Sequence, residues 1–293
     1  MTQLGLGTAT FVAGYGFVPN TPTLDAAAGL LRDAFVAGIR YVDTAAGYGD
    51  AEAVVGRVAR DIAEHGVRVC TKVSGTAAMS HRLVAEVRSS LTRLRLDAVD
   101  TLLLHSVDAT VLTDPALGAE LDDVRARGLA LRTGASTYGV ANARAVLAQP
   151  WCGALQIEHS ILNPSVLSAL IAKPRCVEIV ARSVLCKGLL TSRRQHGGEI
   201  ASGLAPTLDA LERVAADWGW PMAEVAIRFA LDTRGVDVVV VGISTDSELR
   251  TALSAAARPP LETEARAVLA GFNRSELDAV HPERWNVAET HGA

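Results

Sequence analysis

Eight short runs rich in aliphatic and β-branched residues recur along the chain, separated mostly by alanine-rich stretches with helical spacing. The runs are LGLGTA (4–9), IRYVDTA (39–45), VRVCTKV (67–73), VDTLLLH (99–105), LALRTGAS (129–136), ALQIEHS (154–160), VEIVARSVL (177–185) and VDVVVVGI (236–243). Between them lie patterns such as LDAAAGLLRDAFVAG, RLVAEVRSSLTRL and MAEVAIRFALDT. Alternation of strand and helix implies parallel pairing through right-handed crossovers. Eight such units in about 250 residues match an α/β fold of the (β/α)8, or TIM, barrel type. A doubly wound sheet is the alternative, but the first strand-to-helix turn has no G-x-G-x-x-G followed by an acid about 20 residues on. No interior linker, charge block or low-complexity segment divides the 293 residues. One domain is therefore expected over 1–293, with 260–293 as a C-terminal extension over the pocket.

Composition removes several function classes. A formal net charge of -4 gives no polyanion-binding surface, so nucleic acid is not an expected partner. No run of about 18 uncharged apolar residues occurs, so no membrane span is expected. The N-terminus has neither the basic nor the apolar region of a signal peptide. Cys70, Cys152, Cys176 and Cys186 form no CxxC pair and no metal-like spacing with histidine. They read as reduced thiols in a cytoplasmic protein with no metal site. Nothing in the composition bears on oligomeric state. Almost all basic residues are arginine, and the only lysines are Lys72, Lys173 and Lys187. A lysine inside a strand therefore stands out.

In a barrel of this type the active site is built at the C-terminal ends of the strands. Asp43 ends the second run, Lys72 the third and His105 the fourth, and Tyr48 follows in the glycine-flanked turn AAGYGD. Each has a plain structural explanation by itself: a helix cap, a solvated lysine, a core histidine. Their joint placement on three successive strands is what suggests a site.

These residues carry a resemblance. LGLGT, GIRYVDTAxxYGxAE, TKV, SLxRLxLDxVDTLLLH and GLLT resemble the aldo/keto reductase superfamily in sequence, spacing and order over essentially the whole chain. The resemblance implies that Asp43, Tyr48, Lys72 and His105 fill four catalytic positions, and that a small-molecule carbonyl is the substrate. Reducing a carbonyl needs a hydride at carbon and a proton at oxygen. Tyrosine is a weak acid near pH 7, and the Lys72 ammonium, held charged by Asp43, is expected to lower the Tyr48 pKa. His105 would aim the carbonyl oxygen.

The hydride must come from a nicotinamide: NADPH by family, with NADH possible. The resemblance puts Ser136 and Gln156 at the carboxamide and Thr8 beneath the ring. It lays Arg182, Ser183, Leu185 and Lys187 along the cofactor after strand seven, and Gly242, Ser244, Thr245 and Glu248 after strand eight. The last group opens a helix whose free amides can hold a phosphate, although Ser244 or Thr245 can equally be its N-cap. Lys187, Arg193 and Arg194 are expected to close over the pyrophosphate, and Trp285 to wall the substrate pocket. Four positions, in three departures, differ from the family. Arg182 replaces an aromatic that stacks on nicotinamide, Thr137 replaces an asparagine, and Glu248 and Ala252 replace the arginine and asparagine that favour NADPH. Relaxed cofactor specificity follows. Two other readings remain: a Schiff-base lyase using Lys72, and a nicotinamide-binding regulatory subunit with vestigial activity.

Overall fold

The eight runs form eight strands that pair only in parallel in the computed structural model, which describes residues 2–17, 21–75, 82–107, 109–112, 114–170 and 176–285. They are β1 (Gln3–Gly7), β2 (Tyr41–Asp43), β3 (Arg68–Ser74), β4 (Val99–His105), β5 (Ala130–Ser136), β6 (Ala154–Glu158), β7 (Glu178–Arg182) and β8 (Val238–Gly242). Their order in the sheet is their order in the chain, and β8 closes on β1 with Gln3 beside Val238 and Gly7 beside Gly242. Closure leaves no free strand edge.

Period-two alternation explains the two layers of the core. In β4, Leu102 and Leu104 face the surrounding helices, while Leu103 points into the barrel with Tyr41, Cys70, Ala154, Val180, Val238 and Val240. Truncating one such leucine to alanine costs about 2–5 kcal/mol. Outside, helices such as Leu24–Val36, Leu83–Leu94 and Met222–Leu231 bury one face each. A Cβ at Gly134 would collide with the Ala154 carbonyl, so this glycine allows β5 and β6 the close approach that sets Ser136 beside Gln156. At the N-terminal end, Arg68 donates to Glu178 (2.6 Å) and Gln3 (2.8 Å) and covers the Tyr41 ring. That end is plugged, leaving the opposite rim for chemistry.

Several strands are shorter than the apolar runs. The run at 177–185 stops at Arg182 because Ser183 adopts φ +59°, a left-handed conformation that cannot continue a strand. Lys72 does not end its strand. β3 continues to Ser74, and Lys72 is buried inside it. Of the extension at 260–293, residues 286–293 lie outside the described residues, as does Lys173. The described part places Leu261, Leu269 and Val280 in an apolar cluster with Leu162, Leu190 and Leu208. No helix among the described residues is long and apolar enough to cross a membrane, and none of them group as a metal site.

Candidate active site

The neighbouring strands β2 and β3 bring Asp43 and Lys72 together. Lys72 Nζ donates to Asp43 Oδ2 at 2.7 Å and to the Thr44 carbonyl at 2.9 Å. The other carboxylate oxygen accepts Gln156 Nε2 at 2.7 Å, and Thr8 Oγ1 donates to the Asp43 carbonyl at 3.1 Å. After β2, the Ala46 amide donates to the Lys72 carbonyl, and a tight turn from Ala45 presents Tyr48. Gly49, at φ +50°, then leads the chain into helix Ala51–Arg57. Tyr48 lies with its ring centroid 4.9 Å from Lys72 Nζ and 5.4 Å from the His105 ring, which meets it edge-on at 82°.

The turn is pinned from behind by a residue the sequence reading missed. Glu52, fully buried, accepts Thr71 Oγ1 at 2.5 Å and Arg93 Nε at 2.7 Å. It ties the helix after Tyr48 to the residue next to Lys72. Its sequence signal was the carboxylate four residues beyond Tyr48, on a face that is otherwise apolar.

The electrostatics follow from burial. Desolvation is the largest single influence and opposes the Lys72 ammonium, but Asp43 together with Tyr48 and Cys70 outweighs it, and the pKa rises above the ordinary lysine value. Burial also dominates at Tyr48. It pushes the phenol up, Lys72 pulls it down, Asp43 raises it and Arg182 lowers it, with a net rise. The expected depression by Lys72 is thus present as a force and overridden in sum. Burial, reinforced by Lys72, lowers His105 to about 4, so its ring is neutral near pH 7.

Asp43, Tyr48, His105, Ser136 and Arg182 line one cavity of about 210 Å³ at the barrel mouth. Ser183, Leu185, Lys187, Gly242 and Glu248 continue the same wall. Lys72, Thr8 and Gln156 lie buried and contact its floor through Asp43. Two aromatic lining residues were overlooked, Tyr15 and Tyr138. The rule that singled out Tyr48, a phenol a few residues past a strand end, also applies to Tyr138. Trp285 is absent from this wall. Its indole stacks on Phe17 at 5.5 Å and lies 5.3 Å from Lys187 Nζ.

Beyond β8, Thr245 takes the N-cap role, its hydroxyl accepting the Glu248 amide at 3.3 Å. Glu248 reaches back to the Ser244 amide (2.8 Å) and hydroxyl (3.0 Å) and forms an ion pair with Arg193, which itself donates to Ser244 Oγ at 2.8 Å. Arg194 turns away from the site and pairs with Asp209 and Glu212.

A family model described as the aldo/keto reductase family matches residues 3–273. An aldo-keto reductase of Bombyx mori is 25% identical over 231 residues, covering 75% of this chain and 74% of that protein. An L-glyceraldehyde 3-phosphate reductase of Escherichia coli O157:H7 is 28% identical over 283 residues, 82% of each. Among solved structures, the holo form of an aldo-keto reductase from Bacillus halodurans has the same fold with a TM-score of 0.75 at 20% identity, covering 93% of this chain and 92% of that one. The Bombyx mori enzyme in complex with NADP gives 0.71 at 23% identity, covering 93% and 89%. A family match of that length, on a barrel of this topology, makes the chain a member of the aldo/keto reductase family of oxidoreductases.

Proposed function

We propose that the protein reduces a small aldehyde or ketone to an alcohol with NADPH or NADH, and that Tyr48 is the proton donor. The observation that carries this reading is the meeting of Tyr48, His105 and the Lys72–Asp43 pair at one cavity. Tyr48 gives its hydroxyl proton to the carbonyl oxygen, and the phenolate left behind is stabilised by Lys72 and Arg182. His105, neutral, donates a hydrogen bond that fixes the carbonyl oxygen near Tyr48. Asp43 keeps Lys72 charged and placed.

The residues fit a nicotinamide. Gln156 Oε1 and Thr137 Oγ1 are buried without a hydrogen-bond partner, and a carboxamide offers both a donor and an acceptor to such atoms. A reduced nicotinamide, when bound, supplies the hydride. Ser136 and Gln156 would hold its carboxamide end, with Thr8 acting through Asp43. Arg182, Ser183, Leu185 and Lys187 would line one side of the cofactor, and Gly242, Ser244, Thr245 and Glu248 the adenosine side. A sugar-derived carbonyl is the favoured substrate class, supported by the glyceraldehyde-phosphate specificity in the name of one relative. The described part of the extension, 260–285, would lie over the pocket rim where Trp285 meets Lys187.

The lyase reading is weakened by Lys72 itself. An ammonium fully buried and hydrogen-bonded to a carboxylate and a carbonyl is not a free amine nucleophile. A panel of aldehydes and ketones assayed at 340 nm with both cofactors tests the proposal. Cofactor oxidation that depends on carbonyl and on Tyr48 supports it; its absence across the panel refutes it.

A further inference from the structure

Arg182, at the end of β7, is enclosed in the wall of the catalytic cavity. Its Nε donates to Ser136 Oγ at 3.2 Å, Nη1 to Ser183 Oγ at 3.2 Å and Nη2 to the Thr137 carbonyl at 2.7 Å. Its guanidinium carbon lies 3.8 Å from the centroid of the Tyr138 ring. All four partners are neutral. Among the described residues Arg182 enters no ion pair, whereas Lys72 is matched by Asp43 and Arg193 by Glu248. The acid closest by strand register, Glu158, gives one oxygen to the Gly139 amide and keeps the other buried without a partner. Burial raises its pKa and Arg182 draws it back down, so Glu158 offsets part of the Arg182 charge from a distance without forming an ion pair. A half-buried cation held in a cleft by neutral groups, with its nearest acid out of contact, is a candidate functional group.

The cavity is small enough to say what that charge acts on. If the proposed function holds, hydride transfer needs the nicotinamide within about 3.5 Å of a carbonyl carbon, while the carbonyl oxygen is in hydrogen-bond reach of Tyr48. Ring, carbonyl and guanidinium then share a space of about 210 Å³. We propose that Arg182 biases the bound cofactor toward its reduced form. The reduced ring is neutral and the oxidised ring is a cation, so a nearby guanidinium outside any ion pair disfavours the oxidised form selectively. Lys72 does this far less, because Asp43 offsets its charge.

The consequence is thermodynamic and direct. In the overall step, carbonyl, reduced cofactor and a proton become alcohol and oxidised cofactor, with the electron pair moving to the carbonyl carbon as hydride. Arg182 makes the bound step less downhill and loosens the oxidised product, which speeds its exchange for reduced cofactor. Each tenfold in relative affinity raises the bound couple by about 30 mV.

Quenching of intrinsic fluorescence from the four tryptophans reads binding without turnover. Dissociation constants of NADPH, NADP+, NADH and NAD+ are compared in wild type, Arg182→Gln and Arg182→Lys. Wild type is expected to bind the reduced forms at least about tenfold tighter than the oxidised ones. Arg182→Gln should reduce that ratio at least about tenfold, and Arg182→Lys should keep most of it, which separates charge from shape. Equal affinities in wild type, or an unchanged ratio in Arg182→Gln, overturn the inference. A variant whose only change is a higher KM for acidic carbonyls also overturns it, in favour of an anion-binding role. No saturable binding of any of the four to wild type would instead refute the proposed function, and this inference with it.

Discussion

Burial and charge pull the Tyr48 phenol in opposite directions, and the balance fixes its pH behaviour. Because its pKa is raised by desolvation beyond what Lys72 and Arg182 recover, the proton-donating form persists throughout the neutral range. His105, lowered to about 4, is neutral over the same range. Carbonyl reduction should therefore show kcat/KM flat from about pH 6 to 9, whereas alcohol oxidation, which needs the phenolate, should rise across that interval. A reduction profile with a limb near pH 7 would take Tyr48 and His105 out of these roles. Tyr48→Phe should lower kcat at least about 100-fold and leave cofactor affinity nearly unchanged; activity within a few-fold of wild type removes Tyr48 as the acid. Lys72→Met should be as damaging to turnover, and it should also destabilise the fold by about 3–5 kcal/mol, because it leaves Asp43 buried and unpaired. Melting temperature thus separates the two variants. Borohydride trapping of substrate on Lys72 would sink the reductase mechanism.

Cofactor choice belongs to two elements, the loop after β7 and helix Asp246–Ala257. The sequence located the helix start and Glu248, and it left open whether Ser244 and Thr245 cap the helix or hold a phosphate. The structure divides the work: Thr245 caps, while Ser244 is held by Arg193 and Glu248. That Arg193 would reach across to the helix, and Arg194 would not, was illegible, since pairing between distant loops leaves no trace in periodicity. The pairing alters the argument about specificity. A carboxylate already bonded to the Ser244 amide opposes a 2′-phosphate and can accept a ribose hydroxyl, yet Arg193 stands beside it as a cation the phosphate could recruit. One charged contact is worth about 1.5–3 kcal/mol, enough to offset the repulsion. NADPH and NADH should accordingly bind with Kd values within about tenfold, a gap of about 1.4 kcal/mol. Glu248→Arg should move the balance toward NADPH, since it adds one cation and frees another. A wild-type preference above about 100-fold for NADPH would show that other cations surround the phosphate.

For the molecule as a whole, the barrel was readable because eight apolar runs and the helices between them leave few other topologies, whereas strand ends were not, since a single residue such as Ser183 sets them by its backbone conformation. The same burial that closes the barrel sets its response to acid. His159, just past β6, stacks on Phe229 at 5.5 Å, bonds Thr233 Oγ1 through Nε2 at 3.0 Å and keeps Nδ1 buried without a partner. It links the barrel rim to the outer helix Met222–Leu231, and burial lowers its pKa to about 4, as at His105. Both native values lie below the unfolded value of about 6.5. Between pH 6.5 and 4 the unfolded chain therefore binds more protons, and stability falls as pH falls; the contribution is complete above pH 6.5. Glu158, whose pKa is raised, acts in the opposite sense, but it is one group against two. Each histidine sets a slope approaching about 1.4 kcal/mol per pH unit near pH 5. The melting temperature should drop between pH 7 and 5, and His159→Gln, which can keep the bond to Thr233 without taking a charge, should flatten that drop by about half. A variant curve parallel to wild type would mean that His159 does not titrate during unfolding, and that acid lability of the barrel has another origin.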